Sequence, residues 1–78
     1  MIVITKVLNP TDNLGMRIKA YTHTVCKTVA WNPSLNVLEN HKVAAGVVYA
    51  VDHKNVAPEV KFIGQMPRND GGYVVIFA

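Results

Sequence analysis

The sequence is poor in cysteine and has no long apolar run. Cys26 is the single cysteine, which excludes an internal disulfide, so the fold must depend on its apolar core in a reducing compartment. The longest near-continuous apolar run, Val43 to Val51, is far shorter than the roughly 20 residues of a membrane-spanning helix. The first residues also lack the basic segment and apolar core of a secretion signal. These absences predict a cytoplasmic protein without a membrane span.

Signatures of catalysis and of cofactor binding are lacking as well. The glycines form no phosphate-binding motif. His23 and Cys26 stand three residues apart, but zinc needs three or four ligands and there is no second cysteine. Ser34, the one serine, stands among turn formers. We therefore predict a protein that is not an enzyme and that binds no cofactor and no metal.

His41 admits two interpretations. It faces the apolar stripe of a predicted helix, where it could act as a general base or as a pH switch. Catalysis would also need an orienting carboxylate and a nucleophile within reach. The alternative is a core histidine that bonds to a backbone carbonyl or to a threonine hydroxyl, and we favour this structural interpretation.

Length and composition predict one folded domain, residues 1–78, because half of the residues are hydrophobic and 17% are charged. The net charge of +3 is unevenly placed. Residues 1–34 carry Lys6, Arg17, Lys19 and Lys27 against Asp12 alone, whereas the charges of residues 35–78 balance. Such a mild positive patch attracts anionic partners, although it can equally be a solubilising face.

The pattern of apolar residues predicts strands around one helix. Alternation and β-branched residues favour five strands, at Ile2–Leu8, Met16–Thr22, Val25–Trp31, Val60–Gly64 and Tyr73–Phe77. The last strand is so apolar that we place it in the interior of the sheet. Helical periodicity runs from Asn36, an N-cap with Glu39 at capping-box spacing, to a stop at Asn55. We predict an α+β fold, order β-β-β-α-β-β: a mostly antiparallel sheet of four or five strands with the helix packed on one face.

The second and third strands are expected to form a hairpin around His23. A register that pairs Tyr21 with Val25 turns the small residues Ala20, Cys26 and Thr28 toward the helix. Gly46, in the middle of the helix, is expected to allow close approach to the sheet or to a partner. The opposite face of the hairpin then carries the candidate contact residues: Arg17, Lys19, Tyr21, Lys27 and Trp31. Arg68, in the loop before the last strand, is a further candidate.

Aromatic side chains beside cations on a sheet have three interpretations. They stack bases and neutralise phosphates in nucleic-acid-binding proteins. They anchor protein partners, since Tyr, Trp and Arg are over-represented at interfaces. They can also form an ordinary solvated face.

Four short strings, in this order, carry a resemblance: Pro10-Thr11-Asp12, Gly15-Met16-Arg17-Ile18-Lys19-Ala20, Asn40-His41-Lys42-Val43-Ala44-Ala45 and Gly72-Tyr73-Val74-Val75. They resemble a loose family of small proteins encoded by bacteriophages and other mobile elements. The family supplies no catalytic residues. The resemblance implies a phage-type accessory protein acting inside a bacterium, where small proteins often bind a host complex, including nuclease defence systems.

We therefore expect a non-enzymatic protein that binds a host protein or ribonucleoprotein complex, with an anti-defence, anti-CRISPR-like inhibitor as one specific form. The alternative is a weak nucleic-acid-binding protein that uses the basic sheet face. A homodimer, formed through a strand edge or through Val43 and Val47 on the helix, is compatible with either function.

Overall fold

The computed structural model describes residues 1–54, 56–66 and 72–78. Its elements follow the predicted order β-β-β-α-β-β, so the predicted α+β fold is confirmed. One helix packs on a five-stranded antiparallel sheet. The elements are β1 (Ile2–Leu8), β2 (Arg17–Tyr21), β3 (Cys26–Ala30), α1 (Val37–Asp52), β4 (Val60–Gln65) and β5 (Tyr73–Phe77).

The strands lie in the order β3-β2-β1-β5-β4. The most apolar strand, β5, is therefore an interior strand between β1 and β4, as its sequence predicts. β3 and β4 are the edges of the sheet. A register shift between Val60 and Phe62 interrupts the β4–β5 ladder, and such bulges make an edge less suitable for pairing with another chain.

The core lies between α1 and one face of the sheet. Ala44, Ala45 and Val48 of the helix are buried against the sheet residues Ile18 and Ala20. Small side chains allow the helix to lie close to β2, and this part of the predicted packing is confirmed. The rest of the buried apolar core comes from the helix and from β1 and β5: Val3, Tyr49, Val75 and Phe77.

The predicted register of the β2–β3 hairpin is wrong by one residue. Tyr21 pairs with Cys26 rather than with Val25, and Lys19 pairs with Thr28. The turn explains the difference, because the Thr22 amide donates to the Val25 carbonyl and the Thr22 hydroxyl accepts from the Val25 amide. Since side chains alternate along a strand, this shift exchanges the two faces of β3. Cys26, predicted to be buried, is exposed on the face away from the helix.

The connection from β3 to α1 is held by Asn40, which is buried. Its side-chain oxygen accepts from the Asn32 amide at 2.8 Å. Its side-chain amide donates to the carbonyls of Asn32, Leu35 and Asn36. A single side chain thus contacts four backbone groups of an irregular segment, sharing its two N–H hydrogens among three carbonyls, and it fixes where the helix begins.

The helix begins as predicted and ends earlier than predicted. The Asn36 side chain accepts from the Glu39 amide at 2.8 Å, which makes Asn36 the N-cap. The last helical residue is Asp52, and His53 is the C-cap. The His53 amide still makes the helical bond to the Tyr49 carbonyl, but its backbone angles (φ −127°, ψ 52°) leave the helical region, and the helix stops there. The His53 ring stacks on the Tyr49 ring, with 4.2 Å between the ring centres. The predicted stop, Asn55, lies outside the described residues.

Gly46 makes no close approach to the sheet, so this form of the expectation is wrong, and a close approach to a partner stays a prediction. A Cβ atom placed on Gly46 would have no neighbouring atom within 4 Å outside its own helix backbone. The helix therefore approaches the sheet through its alanines and not through its glycine. Among the helices that the described residues form, none is long and apolar enough to cross a membrane.

Candidate functional site

The single helix leaves one face of the sheet without a cover from any described element. Buried Val3, Ile18 and Val75 point toward α1, so their neighbours along each strand point the other way. We call this second face the open face. Its side chains come from all five strands, and the registers place them in rows across the sheet.

One half of the open face is apolar. Ile2, Ile76 and Phe62 form a row across β1, β5 and β4. Ile4 and Val74 lie beside each other in the next row. Ile2 is 60% exposed and Phe62 is 53% exposed, which is unusual for side chains of this size on a regular sheet. We call these five residues the apolar half.

The other half of the open face is basic. Lys6 of β1 lies directly opposite Lys19 of β2. Arg17 lies two residues from Lys19 on the same face, opposite Leu8. Its Nε atom donates to the Gly15 carbonyl at 3.3 Å, which holds the near end of the guanidinium group close to the start of β2. We call Lys6, Arg17 and Lys19 the basic half.

Tyr21 stands at the boundary between the two halves. It lies opposite Ile4, and the Lys19 ammonium nitrogen is 5.4 Å from the centre of its ring. A shallow depression of about 290 Å³ opens beside it, lined by Ile2, Ile4, Tyr21, Thr22 and His23. The depression is of a size that an apolar side chain of a partner can enter.

The structure divides the residues predicted from the sequence into three groups. Arg17, Lys19 and Tyr21 lie together on the open face. Lys27 and Trp31 do not, because the shifted register turns them to the helix side, and their predicted place on the open face is wrong. Lys27 is an exposed charge on an edge strand, where it discourages pairing with another chain. Arg68 lies outside the described residues.

The contact residues predicted from the sequence do not include the apolar half, because the prediction considered cations and aromatic residues. A signal for it exists in the sequence, since β1 and β5 carry apolar residues at both odd and even positions. A strand covered on one face only alternates between apolar and polar residues. In a chain with one helix, apolar residues on both faces indicate either a partner or an exposed patch.

A second cluster lies in the core, where His41 contacts β1 and β5. His41 and Thr5 are fully buried, and His41 Nδ1 is 2.6 Å from Thr5 Oγ1. This confirms the interpretation of His41 as a core histidine bonded to a threonine hydroxyl. The His41 ring packs on the Tyr73 ring, with 4.3 Å between the ring centres. It meets the Trp31 ring edge-on, with 6.4 Å between the ring centres.

The Thr5 hydroxyl links His41 to β5. It is 3.2 Å from the Tyr73 carbonyl oxygen and accepts from the Tyr73 amide at 3.1 Å. Its shortest contact is the 2.6 Å contact to His41 Nδ1, in which either the hydroxyl or the ring nitrogen supplies the proton. His41 Nε2 is buried with no hydrogen-bond partner in the described part of the chain. Burial lowers the pKa of His41 below its ordinary value of 6.5, which keeps the ring neutral.

This cluster is closed to a substrate, because neither Thr5 nor His41 is exposed. Beside it, a cavity of about 580 Å³ opens between the strand ends and the start of the helix, with Trp31, Val37 and Tyr73 in its lining. Within residues 1–54, 56–66 and 72–78, no three His, Cys, Asp or Glu side chains lie close enough to hold a metal ion. The open face is therefore the stronger candidate site.

Comparison with models of protein families, with curated proteins and with solved structures finds no match to this chain. The resemblance to phage-type proteins stays a prediction. Fold alone does not imply function, so the function must be inferred from the open face.

Proposed function

We propose that this protein is a non-enzymatic binding module that attaches to another protein, or to the protein part of a ribonucleoprotein, through its open face. The setting implied by the resemblance is a bacterial host cell, where a phage-type accessory protein of this kind inhibits a host complex such as a defence nuclease. The contact residues are the apolar half, the basic half and Tyr21.

The exposed apolar half carries this proposal. Each square ångström of apolar surface that a partner covers contributes about 25 cal/mol, so covering Ile2 and Phe62 is worth a few kcal/mol in total. A row of aliphatic side chains beside an aromatic residue and several cations is also the composition of an interface core with its rim. A solvated sheet face would carry polar residues at Ile2, Ile76 and Phe62.

Capture of a partner from bacterial lysate tests the proposal. Phe62→Ser and Ile2→Ser remove exposed apolar side chains from the open face. Val43→Ser is the matched control, because Val43 is 50% exposed on the helix. We expect a tagged wild-type chain and the Val43→Ser variant to retain the same protein after nuclease treatment, and the open-face variants to lose it. Equal capture by all of them would reject the open face as the binding surface.

The basic half supports a second candidate, nucleic-acid binding. Lys6, Arg17 and Lys19 lie within reach of one another, and Tyr21 offers a ring on which a base can stack. Binding of this kind weakens steeply with salt, with a log–log slope of about one per neutralised phosphate. Electrophoretic retardation of single-stranded DNA and RNA at several salt concentrations separates the two functions. The basic half, as far as the structure describes it, has three cations, so any such binding should be weak.

A further inference from the structure

The basic half is a cluster of like charges, and no strand of the sheet places an acidic residue beside it. Lys6 and Lys19 are direct cross-strand neighbours, an arrangement that is destabilising when both side chains carry the same charge. Arg17 adds a third positive charge on the same face of β2. The contacts that these side chains do make, to the Gly15 carbonyl and to the Tyr21 ring, bring no negative charge.

Of the five acidic residues, four lie in the part of the chain that the structure describes, and Asp70 lies outside it. All five strands are described, and none of them contains Asp or Glu. Glu39 and Asp52 are on the helix, and Asp52, its last residue, lines a depression with Ile2 and His23 at the end of the sheet away from the basic half. Asp12 and Glu59 are in connections between elements. The strands thus bring the cations Lys6, Arg17 and Lys19 to one half of the open face and apolar side chains to the other half.

We propose that the open face binds a protein surface on which Asp or Glu carboxylates lie beside an apolar side chain. The carboxylates face Lys6, Arg17 and Lys19, and the apolar side chain enters the depression next to Tyr21. This inference rests on the proposed function and names the chemistry of the partner. Burial beside apolar residues strengthens each charge–charge contact, because water is excluded from it.

The same observations argue against two other partners for the open face, namely a second copy of this chain and a nucleic acid. A second copy of this chain would bring three more cations and no carboxylate from its own open face. A nucleic acid would neutralise the basic half and stack a base on Tyr21, but aliphatic Ile2, Ile4 and Val74 offer its other bases no ring. An acidic protein surface satisfies both halves at once.

Zero-length cross-linking with a carbodiimide tests the proposal, because this reagent joins a lysine amine only to a carboxylate in direct contact. The tagged protein is treated with the carbodiimide in nuclease-treated bacterial lysate, and cross-linked peptides are sequenced by mass spectrometry. We expect Lys6 and Lys19 to be joined to Asp or Glu of one other protein. Lys42 and Lys54, exposed on the helix side, are internal controls that should not be joined to that protein.

Variants that change the lysine charges measure how much the basic half contributes to binding of the partner. Lys6→Glu with Lys19→Glu should lower recovery of that protein about tenfold or more, whereas Lys42→Glu with Lys54→Glu should leave it unchanged. Lys6→Gln with Lys19→Gln, which removes charge without reversing it, should give an intermediate loss. Circular dichroism of each variant checks that the fold is retained.

The outcomes separate this inference from the proposed function. If the apolar variants lose the partner while the lysine variants keep it and no cross-link forms at Lys6 or Lys19, the acidic partner is wrong and the binding face stands. If neither the apolar variants nor the lysine variants lose the partner, both the acidic partner and the open face as the binding surface are wrong. If capture disappears with nuclease treatment, or if the only cross-links join two copies of this chain, the inference is wrong.

Discussion

Thr5 Oγ1 and His41 Nδ1 lie 2.6 Å apart between the middle of β1 and the first half of the helix. The bond joins the sheet to the helix in the centre of the core, where both side chains are fully buried. The same hydroxyl also bonds to the amide and the carbonyl of Tyr73 on β5. Three elements therefore meet at one oxygen atom.

Thr5→Val keeps the shape of the side chain and removes this oxygen. The substitution leaves His41 Nδ1 without its hydrogen-bond partner in a buried site, so we expect a loss of about 1–3 kcal/mol in the free energy of unfolding. Urea denaturation followed by the fluorescence of Trp31, the one tryptophan, measures it. Thr28→Val, on the exposed edge strand, is the matched control and should change stability by less than about 0.5 kcal/mol. Equal losses at the two positions would contradict the role assigned to Thr5.

His41 should make stability depend on pH. Because burial lowers its pKa in the folded protein, the unfolded chain binds the proton more readily. The contribution to stability is full above the ordinary pKa of 6.5 and is lost as the pH falls from there through the folded pKa. Thr5, Trp31 and Tyr73, which contact the ring, carry no charge in this range. The expected slope approaches about 1.4 kcal/mol per pH unit within this window.

His41→Phe keeps an aromatic ring between Trp31 and Tyr73 and removes the titration. The part of the slope that His41 causes should disappear in this variant, as measured by urea denaturation at a series of pH values. His23→Gln, in the exposed turn, should leave that part in place. A pH dependence that is the same in both variants would show that His41 is not its source.

The sequence predicts the elements of this fold well because each strand and the helix carry their own periodicity. The predicted bounds of β1 and β5 agree with the structure, as does the N-cap at Asn36. The register of the β2–β3 hairpin depends on something else, namely which residues close the turn. Thr22, His23 and Thr24 include no glycine that would specify a turn type, so the sequence leaves two registers open.

That one-residue ambiguity accounts for the errors in the candidate site. The cations of β2 were placed correctly because β2 alternates clearly, with Ile18 and Ala20 toward the helix. Lys27 and Trp31 were misplaced because they belong to β3. Phe62 and Ile76 could not be assigned to a face before the β4–β5 pairing and its register shift were known.

Trp31→Ala should therefore behave as a core substitution and not as an interface substitution. Trp31 packs against the core and meets His41 edge-on, so its truncation should lower the free energy of unfolding by about 2–3 kcal/mol. Capture of a partner by the remaining folded protein should be unchanged. Chemical denaturation followed by circular dichroism and the pull-down on the same preparation provide the two measurements. Loss of binding with unchanged stability would place Trp31 at the interface after all.

Gly46→Ala should stabilise the protein. A Cβ atom on Gly46 meets nothing within 4 Å outside its own helix, and alanine loses less backbone entropy than glycine when a helix forms. We expect the free energy of unfolding to rise by about 0.5–1 kcal/mol in chemical denaturation. Ala50→Gly, at an exposed position of the same helix, is the reverse control and should lower it by a similar amount. A destabilising Gly46→Ala would mean that the helix does need close approach at this point.

Gly64→Ala tests the open face without removing any of its side chains. A Cβ atom on Gly64 would lie 2.8 Å from Cζ and 2.9 Å from Cε1 of Phe62, so the ring must move away from its present position. The ring is the end of a half-exposed side chain, so the cost in stability should stay below about 1 kcal/mol. Binding should suffer more than stability, because the ring leaves the row that it forms with Ile2 and Ile76. In the background of Phe62→Ser the same substitution should have no further effect on capture, since there is no ring to displace. An additive loss in the double variant would show that Gly64 acts on the partner by a route other than Phe62.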